Sequence, residues 1–310
     1  MIKVQNLTKK YNDLTAVSDL SFTIKEKQVV GLLGPNGAGK STTMKMLTGY
    51  LSPTSGSVTV FGHDAFTEPV EARKHIGYLP EIPPIYPDFT VREHLSFVCD
   101  LRGVPAKQQK AEIDKVCAYL SITHVADRMI RNLSKGYRQR VGFAAALVGS
   151  PDFLILDEPT VGLDPEQIME IRSLIAELSQ NMSILISSHI LSEISSVCGS
   201  LLIMRRGQLV ASGTQAEIEH RLGDKPRIEL LAKGDAAKIG DILHKVFPGG
   251  DIEMTPEGDK LFRIIAASGK SDPSEALFRA FAQNSDKVSI LSMRLITKTL
   301  EELFLEIVQS

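Results

Sequence analysis

The residues with the clearest chemistry lie in one short stretch, which reads Gly-Pro-Asn-Gly-Ala-Gly-Lys-Ser-Thr. Glycines let the backbone curl so that successive N–H groups face a bound anion. Lys40 can reach the β- and γ-phosphates of a nucleotide, and the Ser41 hydroxyl can ligate Mg²⁺. The stretch therefore predicts a site for a nucleoside triphosphate, formed by Gly34, Pro35, Asn36, Gly37, Ala38, Gly39, Lys40, Ser41 and Thr42.

The segments on either side of this loop must position it. The apolar run Val29 to Leu33 predicts a buried strand, and Thr43 to Leu47 predicts the first turns of a helix. A helix that begins at the loop adds the positive end of its dipole to an anion site. Strand, glycine-rich loop, Lys-Ser and helix together form the phosphate-binding P-loop in its required context.

Two carboxylates follow a second apolar run. Phe153 to Leu156 predicts a buried parallel strand, and Asp157 and Glu158 come directly after it. Open α/β sheets bind their ligands at the carboxyl ends of their strands. We therefore expect Asp157 to be a Mg²⁺ partner and Glu158 to be the general base that deprotonates the attacking water. A solvated strand end is the alternative for this pair taken alone.

Bulk properties exclude several classes of protein. The 310 residues carry a formal net charge of −2, so no basic field favours a nucleic-acid partner. No apolar run approaches the ~20 residues that span a bilayer. The start, Met1 to Leu7, predicts an amphipathic edge strand rather than a signal peptide. The three cysteines are scattered without metal-ligand spacing, which favours a reducing cytosol.

The chain divides into two segments, 1–222 and 223–310. The motifs end where Gly223 and Pro226 predict a hinge. Beyond it the pattern predicts strands at 228–231, near 252, at 261–265 and at 288–296, and helices at 236–246, 273–282 and 299–308. This order is typical of a small α+β domain, and we expect a βαββαβ, ferredoxin-like sandwich without a catalytic signature.

A third motif, Leu133 to Arg140, lies in the sequence between the phosphate loop and the carboxylate pair. Ser134 can cap the helix that begins here, and Gly136 permits the close approach of a phosphate. An ordinary capped helix start explains the same residues when they are taken alone.

With these motifs in order, the chain resembles the nucleotide-binding subunit of an ATP-binding-cassette (ABC) transporter over residues 1–222. Gly34 to Thr42 resembles Walker A, Leu154 to Glu158 Walker B and Leu133 to Tyr137 the LSGGQ signature. Further matches are Tyr11 for the aromatic that stacks on adenine, Val161 to Asp164 for the D-loop, and His189 for the switch histidine. The resemblance implies an α/β P-loop cassette with a mixed sheet core and a helical subdomain.

Two positions depart from the family pattern. Glu81 stands where the Q-loop usually has Gln, and the signature has Lys135 at its variable position and ends in Tyr137 where Gln is usual. Glu81 is expected to be a Mg²⁺ ligand, with a solvent-facing side chain as the alternative. Leu79-Pro80-Glu81 in this place, together with a small C-terminal domain, is similar to exporter-type ATPases, most of all those associated with gliding motility.

The resemblance implies an ATPase with ATP and Mg²⁺ as cofactors. Ser134, Lys135, Gly136 and Tyr137 of one subunit would close on the nucleotide of a second, so a homodimer is expected. Membrane permease subunits would contact the segment from Glu81 to Phe89 and would hold the protein at the cytoplasmic face of the membrane. The alternative for this segment is that its side chains pack on the helical subdomain. Two other functions stay open: a soluble ABC-type ATPase, and a nucleotide switch without turnover.

Overall fold

The computed structural model describes residues 1–222, 227–267, 273–296 and 299–309. They form two compact units, 1–215 with 307–310, and 216–306. The hinge predicted at 223–226 lies outside the described residues. Within the described residues, the helices are too short or too polar to cross a bilayer.

The first unit alternates strands and helices. Its strands are β1 (Ile2–Tyr11), β2 (Leu14–Ile24), β3 (Val29–Leu33), β4 (Ser55–Val60), β5 (His63–Asp64), β6 (Ile76–Leu79), β7 (Phe153–Leu156), β8 (Ser183–Ser188), β9 (Ser200–Arg205) and β10 (Gln208–Gly213). Its helices are α1 (Lys40–Leu47), α2 (Pro69–Lys74), α3 (Val91–Leu101), α4 (Ala106–Tyr119), α5 (Lys135–Leu147), α6 (Pro165–Leu178) and α7 (Leu191–Ile194). A further helix, α8 (Gln215–Leu222), begins at the boundary of the unit.

A six-stranded mixed sheet with the order β10-β9-β3-β8-β7-β6 positions the site. Strands β9, β3, β8, β7 and β6 are parallel to one another, and β10 is antiparallel to β9. Both β3 and β7 are buried along their whole length, as their apolar runs predict. Because these strands run in the same direction, the loops that follow β3, β7 and β8 meet at one edge of the sheet.

The second sheet is antiparallel, with the order β2-β1-β4-β5. An apolar core between the two sheets contains Met44 and Leu47 of α1 together with residues of β1, β3 and β7. The prediction of an edge strand at the N-terminus is wrong, because β1 pairs with β2 on one side and with β4 on the other. Alternating burial shows which face of a strand is covered, but it does not show how many neighbours the strand has.

Helices α3, α4 and α5 pack on one another and form the helical layer of this unit. Thr90 starts α3 with a capping box, in which its hydroxyl accepts the Glu93 N–H and the Glu93 carboxylate accepts the Thr90 N–H. Ser134 caps α5 by accepting the N–H of Tyr137. The α/β cassette fold with its mixed sheet and helical layer is thus confirmed.

The second unit is a four-stranded antiparallel sheet with helices on one face. Its elements are β11 (Arg227–Gly234), α9 (Ala236–Val246), β12 (Ile252–Gly258), β13 (Leu261–Ala267), α10 (Ser274–Ala282) and β14 (Val288–Ile296). The last helix, α11 (Leu300–Gln309), begins in this unit, and its residues from Ile307 onward belong to the first unit. The sheet order β12-β13-β11-β14 is that of a split βαββαβ unit. Ile239 of α9 and Leu277 of α10 join the apolar core beneath the sheet.

Candidate active site

The phosphate loop leads directly from β3 into α1. Gly37 and Gly39 adopt φ values of +80° and +102°, which favour glycine over any residue with a side chain. At Gly39 a Cβ would also lie 2.6 Å from the carbonyl oxygen of Ala16, so the loop can take this path only with glycine there. The Lys40 ammonium donates to the carbonyl oxygen of Gly34 at 2.8 Å and to that of Pro35 at 3.4 Å.

The two carboxylates after β7 are both buried, at 4% exposure for Asp157 and 8% for Glu158. Ser187 on the neighbouring strand β8 contacts both residues. Its hydroxyl donates to Asp157 Oδ1 at 2.6 Å and accepts the N–H of Glu158 at 2.9 Å. The sequence analysis missed Ser187, because a serine at the end of an apolar strand carries no motif of its own.

Glu158 stands between two nitrogen-bearing side chains. Its Oε1 lies 3.4 Å from Lys40 Nζ, and its Oε2 lies 2.9 Å from His189 Nδ1. An ionised carboxylate only accepts, so Nδ1 of His189 carries the proton in this contact. The backbone of Glu158 has φ +50°, in the left-handed region. Residues from the loops after β3, β7 and β8 therefore meet at a single carboxylate.

An oxygen pair that suits a hard divalent cation lies beside Glu158. Ser41 Oγ is 3.4 Å from Asp157 Oδ1. Magnesium is bound in proteins by one or two such oxygen ligands together with phosphate oxygens, so a hydroxyl and a carboxylate fit it. Burial and the Asp157 carboxylate raise the pKa of the nearby Tyr78, so its hydroxyl stays protonated.

A cavity of about 520 Å³ opens over these residues. It brings together most of the predicted set: Pro35, Asn36, Gly37, Ala38, Gly39, Lys40, Ser41, Thr42, Glu81, Glu158 and His189. The lining also includes Val161 of the predicted D-loop and residues that the sequence analysis did not identify, namely Leu14, Thr15, Ala16, Arg206 and Gly207. These lie in ordinary hairpins and a loop, whose composition gives no chemical signal.

Some predicted residues lie near this cavity without lining it. Gly34 holds the Lys40 side chain, and Asp157 lies behind Ser41. Tyr11 lies at the end of β1 opposite Leu14, which does line the cavity. The Tyr11 ring is 45% exposed and has the Lys9 ammonium 5.2 Å from its centroid. Its adenine-stacking role remains a prediction.

Comparisons with known proteins agree with this geometry. A family model described as ABC transporter matches residues 17–161. The linearmycin resistance ATP-binding protein LnrL of Bacillus subtilis (strain 168) is 32% identical over 308 residues, which cover 99% of this chain and 98% of that protein. The bacitracin transport ATP-binding protein BcrA of Bacillus licheniformis is 33% identical over 310 residues, with 99% and 97% covered.

The chain belongs to the ABC transporter family of ATP-binding proteins. A solved structure of the ATP-binding subunit of an ABC transporter matches with a TM-score of 0.66 and 29% identity, covering 71% of this chain and 92% of that one. The predicted function is thereby confirmed at the level of the family: the chain is the ATP-binding and ATP-hydrolysing subunit of a membrane transporter.

The residues that resemble the ABC signature do not line the 520 Å³ cavity. Ser134 begins α5, and Gly136 and Tyr137 line a separate cavity of about 460 Å³ together with Asp164. The Tyr137 hydroxyl forms a hydrogen bond with His124 Nε2, at 3.0 Å. The predicted signature residues thus lie outside the 520 Å³ cavity, and Lys135 lines a further cavity that shares Glu81 and Val161 with it.

The predicted D-loop contacts α5, the helix that begins at the predicted signature. A Cβ at Gly162 would lie 1.8 Å from Lys135 Nζ, so the lysine can occupy this place only because residue 162 is glycine. One turn further along α5, Gln139 Nε2 donates to the Pro159 carbonyl oxygen at 3.1 Å. Asp164 then caps α6 by accepting the N–H of Gln167 at 2.9 Å.

Proposed function

We propose that the 520 Å³ cavity binds ATP with Mg²⁺ and that Glu158 is the general base of hydrolysis. The observation that carries this proposal is the placement of Glu158 between Lys40 and His189. Lys40 would contact the β- and γ-phosphates, and the N–H groups of the phosphate loop would surround them. Glu158 would then accept the proton of the attacking water, with His189 holding the carboxylate in place.

Mg²⁺ would be held by Ser41, Asp157 and Glu81. When bound, the cation screens phosphate charge. Glu81 is exposed and lines the cavity, so its carboxylate can approach a nucleotide there.

The charge on Lys40 gives a direct test of the ATP site. Lys40→Ala is expected to weaken the binding of a fluorescent ATP analogue, because it removes the cation paired with the phosphates. Lys45→Ala is the matched control, since Lys45 lies on the same helix α1 and is exposed. Equal affinity in the two variants would contradict the proposed site.

We propose further that two copies of the chain form the working ATPase. The signature residues Ser134, Lys135, Gly136 and Tyr137 lie outside the ATP cavity of their own chain, which favours their use on the nucleotide of a second subunit. ATP would join the two subunits and hydrolysis would release them, with Asp164 and its loop at the junction.

The membrane subunits are proposed to bind an exposed apolar patch formed by Ile82, Tyr86, Phe89, Phe97 and Leu101. Tyr86 packs against Phe89 and Phe97, with ring centroids 5.3 and 5.5 Å apart, and is still 50% exposed. A neighbouring cavity of about 320 Å³ has Tyr86, Phe97 and Leu101 in its wall. Such a patch suits a short helix of a permease at the cytoplasmic face of the membrane.

A charge placed in this patch tests the permease contact. Leu101→Glu is expected to release the protein from membranes that contain its permease, without loss of ATP binding. Val210→Glu is the control, because Val210 is also an exposed apolar residue but lies on β10, outside the patch. Membrane retention of Leu101→Glu at the level of the control would contradict the contact.

Export is the proposed direction of transport. Relatives of the chain include proteins for linearmycin resistance, bacitracin transport and Nod factor export. The first two match the chain over nearly its whole length. The finer resemblance to gliding-motility ATPases stays a prediction.

A further inference from the structure

Ser187 is the residue that connects the two carboxylates of the site. Its side chain is fully buried, and its one hydroxyl contacts both Asp157 and Glu158. We propose that Ser187 is a positioning residue for ATP hydrolysis, which fixes the proposed metal ligand Asp157 and the proposed base Glu158 relative to each other. The inference rests on the roles proposed for these two carboxylates.

The chemistry of a hydroxyl fixes the direction of both hydrogen bonds. A serine hydroxyl has one proton to donate and two lone pairs that accept. The Glu158 N–H can only donate, so it occupies a lone pair, and the single proton is left for the Asp157 carboxylate. Hydrogen bonds to a charged acceptor are stronger than neutral ones, and this one is shielded from water. Asp157 is therefore held in one orientation.

The backbone of Glu158 gives the second reason. Its φ of +50° is unfavourable for a residue with a side chain. The hydrogen bond from its N–H to Ser187 Oγ, at 2.9 Å, holds this conformation. Without that acceptor the peptide can rotate towards an ordinary conformation, and the carboxylate would leave its place between Lys40 and His189. Ser187 would thus control the position of a base that it does not touch through the side chain.

The same strand contains a matched control at its other end. Ser183 is also buried, and its hydroxyl also accepts a backbone N–H, that of Lys27 at 3.1 Å, and donates to an oxygen, that of Lys25 at 3.2 Å. Ser183 makes these contacts far from the carboxylates. Ser183→Ala therefore removes from β8 a hydroxyl of similar burial that also accepts one hydrogen bond and donates one, without touching Asp157 or Glu158.

The experiment compares Ser187→Ala, Ser187→Thr and Ser183→Ala in steady-state ATP hydrolysis. Ser187→Ala is expected to lower kcat roughly 10–100-fold, the usual effect of losing a residue that orients a ligand, with little change in KM for ATP. Ser187→Thr keeps the hydroxyl and is expected to recover most of kcat. Ser183→Ala should keep the kcat of the wild type.

A second measurement does not depend on turnover. Mn²⁺ in place of Mg²⁺, bound with a non-hydrolysable ATP analogue, reports on Asp157 by electron paramagnetic resonance. We expect weaker Mn²⁺ binding in Ser187→Ala, by roughly 10-fold or more, and unchanged binding in Ser183→Ala. Ser187→Cys, which donates only weakly, gives the same comparison if the alanine variant does not fold.

The results separate this inference from the proposed function. If Glu158→Gln abolishes turnover while Ser187→Ala keeps wild-type kcat and Mn²⁺ affinity, the role of Ser187 is wrong and the base assignment stands. A folded Ser187→Thr that is as slow as Ser187→Ala would also overturn the inference, because the hydroxyl would then not be what matters. If Glu158→Gln itself keeps turnover, the proposed base is wrong.

Discussion

Lys40 and Glu158 form a buried ion pair in the cavity over the phosphate loop, with 3.4 Å between Nζ and Oε1. In the proposed ATP complex, the γ-phosphate would become a further partner of the Lys40 ammonium, which can donate three hydrogen bonds. His189 also contacts the Glu158 carboxylate, at 2.9 Å, and would keep it in place when Lys40 contacts the phosphate.

Glu158→Gln is expected to bind ATP but to lose turnover by roughly 10²–10⁴-fold, because an amide is not a general base. It also removes the negative charge that repels the γ-phosphate, so the ATP-bound dimer should persist. Gel filtration with light scattering, with ATP and Mg²⁺ present, measures the dimer. Glu71→Gln is the control, as Glu71 is an exposed residue of α2. A monomeric Glu158→Gln with wild-type turnover would show that the base is another residue.

Ser134→Arg should separate binding from dimer closure. The arginine stands at the start of α5, outside the ATP cavity, so the affinity of one subunit for ATP should stay close to that of the wild type. Closure on the nucleotide of the second subunit should be blocked, and ATPase activity lost with it. The measurements are the affinity for fluorescent ATP and dimer formation, with Lys40→Ala as the comparison variant that is expected to lose ATP affinity. An equal loss of ATP affinity in both variants would contradict a shared site.

The phosphate loop and the carboxylates could be placed from sequence because each follows a strand whose burial is visible in its composition. Parallel strands then bring Lys40 and Glu158 to one edge, as predicted. All the strands and helices predicted after Arg227 are present. The apolar residues of each recur with the period of either a strand or a helix, so the type of element could be predicted. Ser187 and Arg206 could not be found, because their place at the site depends on which strands become neighbours. The pairing of β1 with two strands escaped prediction for the same reason.

Glu81→Gln tests the departure in the Q-loop. A carboxylate binds Mg²⁺ more strongly than an amide oxygen does. If Glu81 is a ligand, the glutamine variant should need a higher Mg²⁺ concentration for half-maximal ATPase activity. The measurement is the ATPase rate as a function of Mg²⁺ at saturating ATP. Superimposable curves for the two proteins would show that the site uses Ser41 and Asp157 alone.

Deletion of residues after Leu222 tests the proposed division of the chain at 222/223. The motifs and both sheets of the first unit lie before this point. We expect a soluble core that unfolds cooperatively and binds the fluorescent ATP analogue. Circular dichroism with heating and the binding assay measure both properties. An insoluble product without ATP affinity would mean that the two segments fold as one.

His94 predicts a pH dependence of stability. It is 2% exposed, and burial lowers its pKa, so the folded chain keeps it neutral where the unfolded chain already takes up a proton. Above pH 6.5, which is about the pKa of histidine in the unfolded chain, this difference does not change the free energy of unfolding. As the pH falls below that value, stability is lost by up to about 1.4 kcal/mol per pH unit until the folded pKa is reached.

His94→Phe removes this contribution and suits the neighbouring Tyr86 ring, 6.0 Å away between centroids. Urea unfolding at pH 7.5 and 5.5 should therefore show a smaller loss of stability for the variant than for the wild type. His244→Gln, at an exposed position of α9, should follow the wild type. An equal loss in His94→Phe and wild type would contradict the prediction.

The left-handed backbone of Glu158 is a local cost that the proposed reaction explains. Glycine would adopt φ +50° without strain, so glutamate is not the residue that this backbone favours. A Glu158→Gly protein would relieve that strain, but it would leave the Lys40 ammonium buried without its carboxylate partner. We therefore expect no gain in stability from the glycine, and a loss of ATP turnover if Glu158 is the base.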